Sequence, residues 1–174
     1  GNVGALAVGR GMRTLLLDAD GTVLDDVAIL RYPADDRGRD NYVLLTNPSN
    51  TARVTSWLRG LGDGYILFDR NDLFRKVEGP VTVEDLSRSD LSDSSERRVS
   101  LALAGQRASA VLARLGVPVL EPGAVWSGSV QGLSITVAAL AYDATPEHYE
   151  LLVHPDQAAA FCRILQDAGA TPQA

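Results

Sequence analysis

Three segments of the chain repeat their apolar residues at the spacing of an amphipathic α-helix: residues 49–62, 105–116 and 155–170. Four side chains of the first segment fall at positions i, i+3, i+4 and i+7 of one helical face: Val54, Trp57, Leu58 and Leu61. Ser49 or Asn50 can cap the start of this helix, and a glycine near the end of each segment serves as a stop signal. The pattern predicts three helices, with Trp57 on a core-facing side.

Apolar runs rich in Val, Ile and Leu predict strands around these helices. They lie near residues 13–18, 22–32, 42–47, 65–69, 81–85, 98–104, 117–120, 133–142 and 148–153. The first two runs are separated by Ala19-Asp20-Gly21, whose glycine can adopt the positive φ of a tight hairpin turn. Because several strands follow one another through short turns, antiparallel pairing is favoured over a doubly wound parallel sheet. We expect an α+β fold of mainly antiparallel sheets flanked by amphipathic helices.

Composition narrows the class of protein. The 174 residues are 45% hydrophobic and 22% charged, which is an ordinary globular profile, and the net charge of −6 argues against a nucleic-acid partner. No apolar stretch reaches the roughly 18 residues that span a bilayer, so no membrane partner is expected. The single cysteine, Cys162, excludes an intramolecular disulfide framework and suits a cytoplasmic protein. The sequence contains no cluster of histidines and cysteines, so no metal site is predicted.

The hairpin segment TLLLDADGTVLDD (14–26) contains the pattern Asp-x-Asp-Gly-Thr, which haloacid dehalogenase-like phosphatases also carry. In that interpretation Asp18 is the nucleophile and Asp20 the acid/base beside Mg²⁺, with Thr46 binding the phosphoryl group. Only about 25 residues separate the two motifs, which leaves no room for the crossover helix that parallel strands require. The simpler interpretation makes Asp18 and Asp20 turn residues, and the phosphatase stays an alternative.

Asp25 and Asp26 are adjacent in the predicted return strand, so side-chain alternation sends them to opposite faces. An acid that faces inward beside the apolar run 27–30 is costly unless it has a partner. Such an acid is either a site residue or an arginine-paired edge residue, and the pattern alone leaves both open.

Five stretches of the chain resemble, in order and spacing, the folate-binding region of the aminomethyltransferase superfamily. They are ALAVGRGMRTLLLDADGTVLDDVAILRY (5–32), YVLLTNPSNTARVTSWLRGLG (42–62), VTVEDLS (81–87), LALAGQRASAVLARLG (101–116) and YELLVHPDQAAAFCRILQDAGATP (149–172). This superfamily holds the glycine cleavage T-protein, the folate domains of sarcosine- and dimethylglycine-oxidising enzymes, and the YgfZ-type iron–sulfur maintenance proteins.

The resemblance implies a tetrahydrofolate site built on an α+β core. The second acid of the family's Asp-Asp pair assists one-carbon transfer, and it matches Asp26, with Asp25 as its neighbour at the cofactor. Asn47 matches a position that contacts the pterin ring. The implied partner is folate or a folate-borne one-carbon unit.

The chain departs from the family pattern at several positions of this site. The family carries Tyr-Thr-Gly-Glu before the Tyr-Glu-Leu strand, and its Glu falls on Pro146, so Glu147 is the carboxylate that could replace it. A family tyrosine after the second acid becomes Leu30, and an aromatic position before the hairpin becomes Arg13. These departures leave open whether the chain is an enzyme. The alternative is a non-catalytic, YgfZ-like assembly or regulatory protein that depends on folate.

The resemblance covers nearly the whole chain and implies one folate-binding region, residues 1–174, or two interlocked α+β subdomains near 1–78 and 79–174. It also implies a reduced or partial member, because the match ends before the C-terminal β-barrel of full-length members. Other domains or subunits are therefore further expected partners.

Overall fold

The part of the chain that can be described folds into two sheets and three α-helices. The computed structural model describes residues 2–67, 69, 71–78, 81–88, 93–140 and 147–173. Two compact units divide the chain: unit 1 comprises Gly1–Met12, Ile29–Val43 and Leu86–Ala174, and unit 2 comprises Arg13–Ala28 and Leu44–Asp85. The predicted α+β class with antiparallel sheets is confirmed.

The first sheet has the strand order β1-β2-β3, formed by Arg10–Leu17, Val23–Tyr32 and Asn41–Leu45. Residues 18–22 turn the chain between β1 and β2, and there the N–H of Asp18 donates to the carbonyl of Thr22 (2.9 Å). Gly21 has a φ of 82°, which a residue without a Cβ adopts at no steric cost. The predicted first hairpin is therefore confirmed.

The second sheet belongs to unit 1 and has the strand order β4-β7-β6-β5. Its strands are β4 (Val99–Ala104), β5 (Val125–Val130), β6 (Leu133–Ala139) and β7 (His148–Val153), and every neighbouring pair is antiparallel. Alternate residues of these strands face a hydrophobic core that also takes side chains from two helices, α2 (Ala108–Arg114) and α3 (Pro155–Asp167). Phe161 of α3 is completely buried in this core.

The three predicted helices are confirmed, and the first of them, α1 (Thr51–Gly62), belongs to unit 2. Two short 3₁₀ turns, Val3–Ala5 and Ser94–Glu96, complete the helical segments that are described. Helix α3 begins with Pro155 in its first turn, and the ring of His154 accepts a hydrogen bond from the N–H of Asp156 (3.3 Å). None of the helices in the described residues is long and apolar enough to cross a membrane.

Three predicted strands, 65–69, 81–85 and 117–120, do not form in the described part of the chain, which leaves out residue 68. In the segment 65–69, the N–H groups of Tyr65 and Ile66 donate to the carbonyl of Gly60 and so close the end of α1 (2.9 and 3.1 Å). In 81–85, the carbonyl of Val83 accepts from the guanidinium of Arg59. The segment 117–120 contains Pro118, which has no N–H to give to a strand ladder.

One strand was not predicted. Val125–Val130 contains Gly128 and two serines, so it lacks the apolar run that indicates a strand. It forms because β6 supplies a complete antiparallel partner, with Val125 opposite Ala138 and Val130 opposite Leu133. The predicted end of the 133–142 strand and the position of Pro146 lie among residues 141–146, which are outside the described part of the chain.

Candidate functional site

A buried carboxylate links β2 to the start of α1 in unit 2. Asp25 is only 3% exposed, and four N–H groups donate to it. The backbone N–H of Asn47 bonds to Oδ2 (2.9 Å), while Oδ1 accepts from the side-chain amides of Asn47 (2.6 Å) and Asn50 (2.9 Å) and from the N–H of Asp26 (3.0 Å). The carboxylate therefore fixes the chain that follows β3 and the residue before α1.

These bonds also settle the orientation of two amide side chains. An ionised carboxylate only accepts hydrogen bonds, so Asn47 and Asn50 must both turn their NH₂ groups toward Asp25. Because the NH₂ group of Asn47 faces Asp25, its amide oxygen points away from Asp25. Asn47 is exposed, so this oxygen can accept a hydrogen bond from a ligand. Asn50 occupies the N-cap position of α1, but it makes no side-chain cap bond because its amide binds Asp25.

The hydrogen bonds around Asp25 outweigh the effect of burial on its charge. Burial raises the pKa of Asp25, whereas the bonds from Asn47, Asn50 and the backbone lower it by more, so the pKa lies below that of an ordinary aspartate. Asp25 is therefore an ionised group at neutral pH, and its negative charge is held inside the site.

Asp26, the residue predicted to act on a one-carbon unit, faces the other way. Its side chain is 47% exposed, and its Oδ2 accepts from the guanidinium of Arg13 on β1. Arg13 is itself 27% exposed. The predicted opposition of the two acids is thus found, with Asp25 as the buried member and Asp26 as the exposed, arginine-paired member.

Glu147, predicted to bind the cofactor, belongs to unit 1. Its Oε2 accepts from the backbone N–H of Ser109 in the first turn of α2 (2.8 Å), and this hydrogen bonding lowers the pKa of Glu147. A carboxylate at this place satisfies one of the N–H groups that a helix start leaves without a partner. Its role toward a ligand stays a prediction.

The Asp18 carboxylate serves the hairpin turn. Its Oδ1 accepts from the N–H groups of Asp20 and Thr22, both at 2.9 Å, which is the geometry of an aspartate that stabilises its own turn. Within the described residues, no group of three or more His, Cys, Asp or Glu side chains is placed to hold a metal ion. The phosphatase alternative finds no specific support in these contacts.

Trp57 was expected in the core, and the structure places it differently. It is half-buried and lines a hollow of about 290 Å³ within unit 2. The other residues that line this hollow are Asp18, Leu24, Arg53, Ser56 and Ile66. An indole in such a position is a usable fluorescence reporter for events in unit 2.

Two residues of this arrangement had no role at the site in the sequence interpretation. In the sequence, Arg13 marks only a departure from an aromatic family position, and Asn50 is only a candidate helix cap. The signal for Asn50 was its spacing: Asn47 and Asn50 are three residues apart across a turn, which is the spacing at which two amides can converge on one acid. Arg13 gave no such signal, because a strand arginine is usually a solvated charge.

The known proteins to which this chain is similar in sequence and in fold are aminomethyltransferases. No protein-family model matches the chain. An aminomethyltransferase of Geobacillus kaustophilus is 30% identical over 173 residues, which is 97% of this chain and 40% of the relative. An aminomethyltransferase of Thermus thermophilus is 27% identical over 174 residues, which is 98% of this chain and 42% of the relative.

A solved structure agrees with these sequence relatives in fold. The glycine cleavage system aminomethyltransferase T of Bartonella henselae superposes with a TM-score of 0.60 at 20% identity, over 92% of this chain and 36% of that protein. The chain thus spans about 40% of the length of the curated relatives that it matches.

Proposed function

Because this chain is a divergent or partial relative of the aminomethyltransferases, we propose that it is a tetrahydrofolate-binding domain of the one-carbon transfer type. The observation that carries the proposal is the Asp25 cluster, in which a buried acid fixes Asn47 through its side chain and accepts the backbone N–H of the exposed Asp26. The residues that the resemblance assigns to folate are therefore held by contacts of this chain.

The chemistry of the cluster suits such a ligand. The pterin ring of tetrahydrofolate carries N–H donors, and the outward amide oxygen of Asn47 is an acceptor. The amine nitrogens that carry a one-carbon unit gain cationic character during transfer, and a carboxylate such as Asp26 stabilises that charge. In this proposal Asn47 orients the ring and Asp26 lies at the reacting amine, while Asp25 binds the side chain of Asn47 and the backbone N–H of Asp26.

The proposal extends to the cellular compartment and the binding partners of the domain. We place the domain in the cytoplasm, since the single cysteine, Cys162, leaves no intramolecular disulfide to form. Folate or a folate-borne one-carbon unit is the proposed partner. Further domains or subunits are proposed as well, because the relatives are more than twice as long as the segment they share with this chain.

Anaerobic titration with tetrahydrofolate, followed by tryptophan fluorescence, tests the proposal. We expect saturable binding by the wild-type chain and about tenfold weaker binding by Asn47→Ala, which removes the acceptor but keeps the backbone N–H bond to Asp25. Asn41→Ala is the matched control, because Asn41 is an exposed asparagine at the start of β3. No saturable binding, or equal affinities for the two variants, would sink the proposal.

A further inference from the structure

The exposed acid of the proposed site already has a cationic partner in the chain. Arg13 extends from β1 and its guanidinium donates to Oδ2 of Asp26 on β2. Both residues belong to unit 2, and both side chains are partly exposed, at 27% and 47%. A ligand that approaches Asp26 therefore meets an ion pair rather than a lone carboxylate.

We propose that Arg13 limits the affinity of this site, because it competes with the ligand's amine for Asp26. This inference rests on the proposed tetrahydrofolate site and says how that site is tuned. The amine must replace the guanidinium at Oδ2 of Asp26, or share that oxygen with it. In either case the cost of breaking or weakening the ion pair between Arg13 and Asp26 reduces the net free energy of ligand binding.

The size of the effect follows from the exposure of the pair. Ion pairs between exposed side chains stabilise by at most about 1 kcal/mol, which corresponds to about a fivefold change in an equilibrium constant. Removing the arginine should therefore tighten the binding of an amine ligand about two- to fivefold. A purely structural arginine would give no gain, and an arginine that binds the ligand directly would give a loss.

The test compares tetrahydrofolate affinities of the wild type, Arg13→Leu, Arg13→Lys, Asp26→Asn and Arg13→Leu combined with Asp26→Asn. We expect Arg13→Leu to bind about two- to fivefold more tightly and Arg13→Lys to stay near the wild type, because lysine keeps the cation. In the double variant, binding should be no tighter than in Asp26→Asn alone, since the contested carboxylate is absent; a gain from Arg13→Leu in the Asp26→Asn background would overturn the competition. Circular dichroism confirms that each variant is folded, and Arg13→Gln, which also removes the cation, takes the place of Arg13→Leu if that variant is unfolded.

Arg39→Leu is the matched control for charge. Arg39 also pairs with a partly exposed aspartate side chain, Asp35, and its removal changes the net charge by the same amount. Unchanged or weaker binding by Arg13→Leu relative to Arg39→Leu overturns the role of Arg13 while leaving the folate site intact. If the wild type does not bind at all, the proposed function fails together with this inference.

Discussion

Asp25 and Asp26 are chemically identical neighbours, and β2 gives them opposite environments. Asp25 is enclosed and accepts four N–H groups, whereas Asp26 is exposed and faces Arg13. Side-chain alternation along a strand predicts that the two differ, but it does not say which one is enclosed. Asp25 therefore positions the chain, and Asp26 is the carboxylate that the proposed site would offer to a ligand.

Asp25 should make folding stability sensitive to acid. Its pKa is lowered in the folded state, so the stability it contributes is fully present above the ordinary carboxyl pKa of about 4 and is lost as the pH falls through the lowered value. Asp25→Asn should destabilise by about 2 kcal/mol near neutral pH, because an amide cannot accept all four donors. Urea unfolding near pH 7 and pH 3 measures this; a gap between wild type and variant that does not shrink in acid contradicts it.

At the scale of elements, the turn residues predict the observed hairpin correctly, whereas apolar runs alone predict strands that do not form in the described residues. The β1–β2 hairpin depends on the Asp18 carboxylate and on the positive φ of Gly21, and both were visible in the sequence. By contrast, the apolar run after α1 looked like a strand, yet its first two N–H groups end the helix instead. Local pattern shows which residues are apolar, but it does not show which backbone groups are already in use.

The hairpin turn gives a testable consequence for Asp18. Asp18→Ala removes the acceptor of two N–H groups and should destabilise by about 1 kcal/mol without weakening tetrahydrofolate binding. Asp36→Ala, an exposed residue of the next connection, should change stability by less than about 0.5 kcal/mol. Urea unfolding compares the two. Phosphate release that depends on Mg²⁺ and is lost in Asp18→Asn would instead support the phosphatase alternative.

Among the described residues of unit 1, helix α3 contributes the largest fully buried side chain. Phe161 is 0% exposed and packs in the core beneath the second sheet. Phe161→Ala should therefore destabilise by about 3–5 kcal/mol, because it removes buried apolar area and leaves a cavity. Arg163→Ala, two residues along the same helix and exposed, should cost less than about 0.5 kcal/mol in thermal or urea unfolding. Similar losses for both variants would show that Phe161 is not a core residue.

At the scale of the whole molecule, the sequence predicted the α+β class, the three helices and the first hairpin, because helical spacing and turn residues are local signals. It did not predict β5, whose residues become a strand only against β6. It placed Asp25, Asp26 and Asn47 together through the family resemblance. It could not show that Asn50 joins Asp25 or that Arg13 pairs with Asp26, since both contacts depend on how distant segments meet.

The most direct test of the central claim is calorimetric titration of tetrahydrofolate into the wild type, Asp26→Asn and Asp40→Asn. Asp40 is the matched control, because it is another exposed aspartate paired with an arginine, Arg31 of unit 1. We predict saturable binding that weakens about tenfold in Asp26→Asn, through loss of a charged contact to the ligand, and stays unchanged in Asp40→Asn. Equal binding by all three proteins, or no binding by any of them, would contradict a folate site at Asp26.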